Sequence, residues 1–298
     1  MRYLIGFVCI IGIGICLAFL PKAELIENDG PILSDEWYHG KAEISTFELK
    51  QNRYNALHNG ELVMIFVTED FLKDKQVKND SYTSKNSVPV IKNNRIRKFN
   101  TGLYDYSIYT SVFTDVSHPE NVNTLKVTMS SQDWCGQSFS QLNNVGKQNK
   151  ISGFSYFESE GDREIKVKDV FLIDEVFNMV RLGDKYLPQQ RFQAMPSLVF
   201  TRLKHKPDAI VEAYGTLSQN DDGTKTYTIN IDKLLYTLEI QFNDNIKRDI
   251  INIKESYPSA FDNKVRTTEA SRKQVQWLDY WNKNSIQDSS LRAELNLN

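Results

Sequence analysis

The residues that could carry chemistry form two short groups in the middle of the chain. Glu158, Glu160 and Asp162 surround one turn, and paired carboxylates of this kind can act as general acid and base or bind Ca²⁺. Cys135 follows Trp134, and a cysteine becomes a nucleophile only when a nearby base or positive charge lowers its pKa. The four histidines lie far apart in the sequence, so a metal site built from them would have to be assembled by the fold: His39, His58, His118 and His205.

Both groups also have a purely structural interpretation. An exposed acidic turn is a common feature of hairpins, and Cys135 is expected to pack as a small residue under Trp134 within a strand. The sequence contains no Walker A loop, no His-Glu-x-x-His, no closely spaced Cys-x-x-Cys pair and no Gly-x-Ser-x-Gly elbow. We therefore assign no catalytic residue, no metal ligand and no cofactor, and we expect a protein that is not an enzyme.

Aromatic residues make up 11% of the chain, and four of them are candidates for ligand binding: Tyr104, Tyr106, Tyr156 and Trp134. Such side chains can line a ligand cavity or form a platform for sugars, and strands favour them for packing as well. The basic residues between positions 92 and 98 could contact phosphate, although charge that protects a solvated hairpin edge is the expected role.

Alternating apolar and polar residues predict the elements that must position these groups. Tyr104, Tyr106, Ile108 and Val112 alternate with polar residues, and about a dozen such segments run through the chain, residues 198–203 among them. Hairpin-length links between them indicate an antiparallel meander. Two of the turns are predicted from the sequence, at Asn59-Gly60 between residues 48–58 and 61–67 and at Asp221-Asp222-Gly223.

One segment has a helical period instead. Val170, Ile173, Phe177 and Val180 predict an amphipathic helix over residues 169–182, which ends at Gly183. A second helix or an extended arm is expected over residues 269–281. The predicted fold class is therefore mainly β, with a strongly curved antiparallel sheet, a half-barrel or a sandwich, and one covering helix.

The N-terminus indicates export. Residues 4–20 carry no charge and follow Arg2, which is typical of a signal peptide and short for a transmembrane helix. We assign residues 1–23 to a signal peptide or N-terminal anchor, 24–36 to a linker and 37–298 to a single mainly-β envelope domain. The body would then lie in the periplasm, or be anchored to the membrane by an uncleaved N-terminal segment. Cys135 is the only cysteine outside residues 1–23, so no disulfide within the body is expected.

Several segments together resemble a family of exported proteins of Bacteroidota: residues 37–43, 67–71, 75–78, 98–102, 134–136, 155–162 and 200–206. The resemblance covers nearly the whole body from Trp37 onward and implies no established biochemical role. Members of that family often carry the label "septum formation inhibitor Maf". Maf proteins are cytoplasmic α/β nucleotide pyrophosphatases that open with a Ser-x-Ser-Pro-Arg-Arg type of motif. This chain has no such motif, so no catalytic residue is transferred to it.

These observations favour a non-enzymatic cell-envelope protein. It would bind an apolar or amphipathic ligand, such as a lipid or lipoprotein, or an envelope partner. Net charge is −2, which gives no reason to expect nucleic acid binding. One alternative is a periplasmic hydrolase that uses Glu158, Glu160 and Asp162, or Cys135 with a histidine. The other is a structural or assembly factor that acts through its sheet edges.

Overall fold

Sixteen β-strands form a single open sheet in a computed structural model, which describes residues 32–82, 86–206 and 208–297. The first nine strands are β1 (Ala42–Arg53), β2 (Ala56–Leu72), β3 (Val77–Lys78), β4 (Ser87–Thr101), β5 (Tyr104–Asp115), β6 (Asn123–Asp133), β7 (Gly136–Asn144), β8 (Gln148–Ser155) and β9 (Arg163–Lys168). The remaining strands are β10 (Phe171–Leu172), β11 (Gln190–Met195), β12 (Val211–Gln219), β13 (Thr224–Ile231), β14 (Tyr236–Asn243), β15 (Ile250–Pro258) and β16 (Val265–Leu278).

The sheet consists of two antiparallel meanders that join where β16 pairs with β1. Its two outermost strands are β9 and β10, and β10 pairs with β11 in the only parallel pair found among the described strands. Only residues 169 and 170 separate β9 from β10, and this connection spans at most about 11 Å. The sheet must therefore curve until its two outer strands approach each other. The predicted mainly-β, curved-sheet fold is confirmed.

Two short helices pack on the inner face of the sheet. The helix α1 (Val176–Leu182) is buried along its whole length, and α2 (Leu198–Lys204) is buried at six of its seven residues. A third short helix, α3 (Leu291–Glu294), lies near the C-terminus. The Phe200 ring of α2 packs edge-on against Tyr236 and Tyr257, with ring centroids 5.1 and 5.4 Å away. Two inner helices are present where the sequence predicted one covering helix.

The alternation of the strands places one side chain in two on this inner face. One register row crosses four strands and is buried throughout: Met64, Arg95, Thr110 and Met129. Successive residues of a strand point to opposite faces, so this row explains the period of two in the sequence. The arginine within it explains why the pattern is incomplete.

Three predicted elements need correction. Residues 198–203 form helix α2, not a strand, and the Ser197 hydroxyl accepts a hydrogen bond from the Phe200 N–H at 3.1 Å as its N-terminal cap. All six residues are buried, so the sequence shows no polar face from which a helical period could be recognised. Helix α1 begins at Val176, later than predicted, and ends before Gly183 as expected. Residues 269–278 continue strand β16, so of the two alternatives the extended one is correct.

The predicted turn at Asn59-Gly60 is also wrong. The β1–β2 turn lies at residues 54–55, and Gly60 pairs with Leu49 inside β2. A Cβ atom at Gly60 would lie 2.2 Å from the Lys98 carbonyl oxygen and 2.7 Å from the Phe99 Cβ. Glycine is therefore required here by close backbone approach and not by turn geometry. The turn predicted at Asp221-Asp222-Gly223 does connect β12 to β13, and Gly223 has a φ of 80°.

The basic residues of β4 are not a solvated edge. Arg95 and Arg97 point into the sheet interior, where Arg95 bonds Asp174 at 2.8 Å and Arg97 bonds Glu255 at 3.3 Å. The position of β4 between β2 and β5 explains the burial. The predicted signal peptide or anchor and most of the predicted linker lie outside the described residues. Within the described ranges, no helix has the length and apolarity needed to cross a membrane.

Candidate functional site

The residues singled out in the sequence come together at one end of the sheet. Every second connection of an antiparallel meander emerges at the same end. The β4–β5 turn at residues 102–103, the β6–β7 turn at 134–135 and the β8–β9 loop at 156–162 all do so. The β1–β2, β13–β14 and β15–β16 connections share this end, which we call the loop end.

Five connections at the loop end each expose one large apolar side chain. We call this set the apolar rim: Leu103, Trp134, Tyr156, Leu235 and Phe261, each between 65% and 81% exposed. In the order of the strands these residues follow one another across the sheet. The β1–β2 turn, which falls between two of them, contributes Tyr54, whose ring packs edge-on against Phe261 at 6.3 Å.

Trp134 and Tyr156 therefore lie where ligand contact is possible. The Tyr156 N–H donates to the Gln137 carbonyl at 3.2 Å, which holds its ring beside Gly136. A Cβ atom at Gly136 would lie 2.6 Å from a Tyr156 ring carbon, so the glycine makes room for the ring. Local backbone geometry thus fixes the exposed ring in place.

Tyr104 and Tyr106 lie at the same end but face inward. Tyr106 is buried, and its hydroxyl is 2.8 Å from the Tyr54 hydroxyl and accepts a hydrogen bond from Arg53 Nη2 at 3.1 Å. Burial raises the pKa of Tyr106, so the phenol stays neutral in spite of Arg53. The Tyr104 hydroxyl also bonds Tyr54. These tyrosines form a hydroxyl cluster under the rim.

The acidic turn is tied to the end of helix α2. Glu160 accepts hydrogen bonds from Ser155 Oγ at 2.8 Å and from Arg202 Nη1 at 2.9 Å, and it lies 2.9 Å from His205 Nδ1. Burial alone would raise the pKa of Glu160, but the bonds from His205 and Ser155 and the charge of Arg202 hold it below its ordinary value. Glu158 is exposed. This arrangement anchors the β8–β9 loop with an ionised carboxylate.

Cys135 occupies the β6–β7 turn and is exposed. The prediction that it packs within a strand under Trp134 is wrong, because the Asp133 carboxylate accepts the Cys135 N–H at 2.7 Å and stabilises a turn there. In the part of the chain that the structure describes, no hydrogen bond joins the Cys135 thiol to a histidine.

Helix α2 closes the sheet interior beneath the rim. Arg53 Nη1 donates to the Leu203 carbonyl at 2.8 Å, and this bond satisfies a carbonyl of the last helical turn. The cavity bordered by Arg95 and Glu255 measures about 10 Å³, and the one bordered by Ser140 and Arg202 about 20 Å³. Each holds about one water molecule. Neither of these interior cavities can therefore hold an acyl chain beneath the rim.

No protein-family model, curated protein or solved structure matches the chain. Among the described residues, no group of three or more histidine, cysteine, aspartate or glutamate side chains is placed to hold a metal ion. The interior ion pairs and the apolar rim are the features that sequence reasoning missed. The rim could have been recognised in the sequence from single apolar residues that recur in every second predicted turn.

Proposed function

We propose that this chain is a non-enzymatic binding protein of the cell envelope, which holds an amphipathic ligand at the apolar rim. The ligand class is a lipid, or the acyl chain of a lipid-modified protein. The observation that carries the proposal is that five of the six hairpin connections at the loop end each expose one large apolar side chain. Large apolar side chains gathered on a surface in this way are typical of interaction sites.

The opposite end of the sheet supports this choice by contrast. It also exposes apolar side chains, at Tyr38, Val77, Tyr82, Val145, Ile246 and Trp281, but fewer of its strand connections carry one. The connections at residues 117–122 and 220–223 lie among them and expose no large apolar residue. Apolar side chains on most of the neighbouring connections can together cover an acyl chain or enter a bilayer interface, whereas isolated exposed residues are ordinary.

The chemistry of the individual tips suits an interface between water and lipid. Trp134 and Tyr156 combine an apolar ring with a polar N–H or O–H group, and such side chains favour the level of the lipid headgroups. Leu103, Leu235 and Phe261 supply purely apolar surface. Burial of a side chain of this size stabilises by about 1.5–3 kcal/mol, so several tips together support measurable binding.

The test is co-sedimentation of the full chain with phosphatidylcholine vesicles, with and without phosphatidylglycerol. Replacing Leu103, Trp134 and Tyr156 together by serine is expected to abolish sedimentation with the vesicles. The matched control replaces Tyr82, Val145 and Ile246 by serine, which removes similar exposed surface from the opposite end. Equal binding by the two triple variants, or no binding of the natural chain to either vesicle, would overturn the proposal.

A further inference from the structure

A cavity of about 260 Å³ opens beside the connection between β9 and β10, at the opposite end of the sheet from the apolar rim. We call it the seam cavity. Asp169 and Glu175 contribute carboxylates to its lining, and Phe171, Met179 and Tyr186 contribute apolar surface. No lysine, arginine or histidine lines it.

Glu175 is an exception among the buried carboxylates. Six are buried within the described ranges, and five of them form ion pairs: Asp174 with Arg95, Glu255 with Arg97, Glu43 with Arg181, Asp115 with Lys73 and Asp249 with Arg272. Glu175 is 7% exposed and has no such partner among these residues. A buried, ionised carboxylate without a counter-ion costs free energy, so such a group either stays protonated or binds a cation.

The neighbours of Glu175 do not supply that cation. Its Oε1 accepts the Leu172 N–H at 3.0 Å, and the Thr124 hydroxyl bonds the carboxylate as well. Burial first, and then the negative charges of Asp169 and Asp174, raise the pKa of Glu175 to about 7 in spite of these bonds. Lys185 contacts the lining, with its Nζ 4.9 Å from the centre of the Tyr186 ring, but it does not itself line the cavity.

We propose that the seam cavity binds a small organic ammonium ion. Glu175 would be its counter-ion and Asp169 a second anionic neighbour, while Phe171 and Met179 would cover the alkyl part of the ligand. A cation restores for Glu175 the pairing that the other five buried carboxylates already have. An anion would be repelled by both carboxylates, and a neutral ligand would leave Glu175 without a counter-ion.

The aromatic lining fits the same ligand. Ammonium groups are attracted to the faces of aromatic rings, and the rings of Phe171 and Tyr186 both border the cavity. An organic cation also suits the site better than a metal ion. The two carboxylates fall short of the ligand number that Ca²⁺ or Mg²⁺ requires, and no third carboxylate, histidine or cysteine of the described residues joins them.

The experiment is isothermal titration of the full chain at pH 8 with n-hexylammonium, beside n-hexanol and hexanoate as ligands of the same length but different charge. We expect saturable binding of n-hexylammonium alone. At pH 6, where Glu175 carries a proton for much of the time, binding should release that proton. The release is measured by repeating the titration in buffers of different ionisation enthalpy.

Two variants decide whether Glu175 is responsible. Glu175→Gln keeps the shape and an acceptor for the Leu172 N–H, and it is expected to weaken n-hexylammonium binding about tenfold or more. The matched control Glu164→Gln removes an exposed carboxylate from β9, outside the cavity, and should leave affinity unchanged. Binding of n-hexanol as tight as that of n-hexylammonium, or unchanged affinity in Glu175→Gln, would overturn the proposal. Neither result bears on the vesicle test of the apolar rim.

Discussion

The inner face and the loop end of the same sheet place their side chains in opposite ways. On the inner face, charged groups such as Arg95 and Asp174 are buried and paired under helices α1 and α2. At the loop end, apolar groups such as Trp134 and Phe261 are exposed. The comparison indicates that the two regions have different roles. The side chains of the inner face hold the fold together, whereas we expect those of the loop end to tolerate substitution without loss of the fold.

The interior pairs connect elements that are remote in sequence. Asp174 accepts hydrogen bonds from Arg95 Nη2 and from the Leu198 N–H, both at 2.8 Å, and so joins β4 to the start of α2. Glu255 accepts from Tyr236 at 2.9 Å as well as from Arg97. Buried pairs of this kind add little net stability over apolar packing, but losing one partner leaves an uncompensated charge. Their role is to fix the relative positions of the elements that they join.

The largest effect is expected from Arg95→Met. This change leaves Asp174 buried without its cation and should lower the free energy of unfolding by about 3–5 kcal/mol. Urea-induced unfolding followed by circular dichroism measures the loss. In the double variant Arg95→Met/Asp174→Asn the charge is gone, while an acceptor for the Leu198 N–H remains. Recovery of about half the loss is expected, and a double variant no more stable than the single one would contradict this account.

The strands were predicted well from the sequence where one face of the strand is buried and the other is exposed to solvent. Val127 and Met129 alternate with polar residues and lie in the main core, whereas Leu125, beyond an irregularity of the register, packs with Phe71 and Val90 in a separate cluster. The same logic failed for α2, which is buried on all sides, so that its residues carry no period. Helix and strand are then distinguished only by capping, and the Ser197 cap was the single local signal.

The candidate site was predicted only in part. Trp134 and Tyr156 were singled out and lie on the rim, whereas Leu103, Leu235 and Phe261 were not. These three are isolated apolar residues in polar turns, and only the strand order places them at one end. The pairs of Arg95 and Arg97 could not be predicted either, because their partners lie 79 and 158 positions away in the sequence.

A smaller and pH-dependent effect is expected from Glu175→Gln. The pKa of Glu175 rises from its ordinary 4.5 to about 7 in the folded state, mainly through burial. Between these values the folded state holds a proton that the unfolded state has lost, so stability falls as pH rises through this window. Well above pH 7 the full cost, about 3 kcal/mol, is present. Glutamine removes it, so the variant should be more stable than the natural chain at pH 8 and about equal to it at pH 4.5.

Unfolding in urea at pH 4.5, 6 and 8 measures this difference. Glu164→Gln serves again as the control, since Glu164 is exposed and bonds Lys150 at 2.9 Å on the outside of the sheet. That variant should follow the natural chain at every pH. A constant offset between Glu175→Gln and the natural chain would mean that Glu175 does not titrate in this range.

The smallest effect on stability is expected at the rim itself. Leu103→Ser and Trp134→Ser each remove a side chain that is at least 66% exposed, so little burial is lost and the free energy of unfolding should change by no more than about 0.5 kcal/mol. Phe200→Ala, which empties a ring site between Tyr236 and Tyr257, should cost about 3–5 kcal/mol by comparison. A rim variant as destabilised as Phe200→Ala would show that the tips are part of the fold. It would also weaken the assignment of these residues to ligand binding, because a structural role would then explain why they are present.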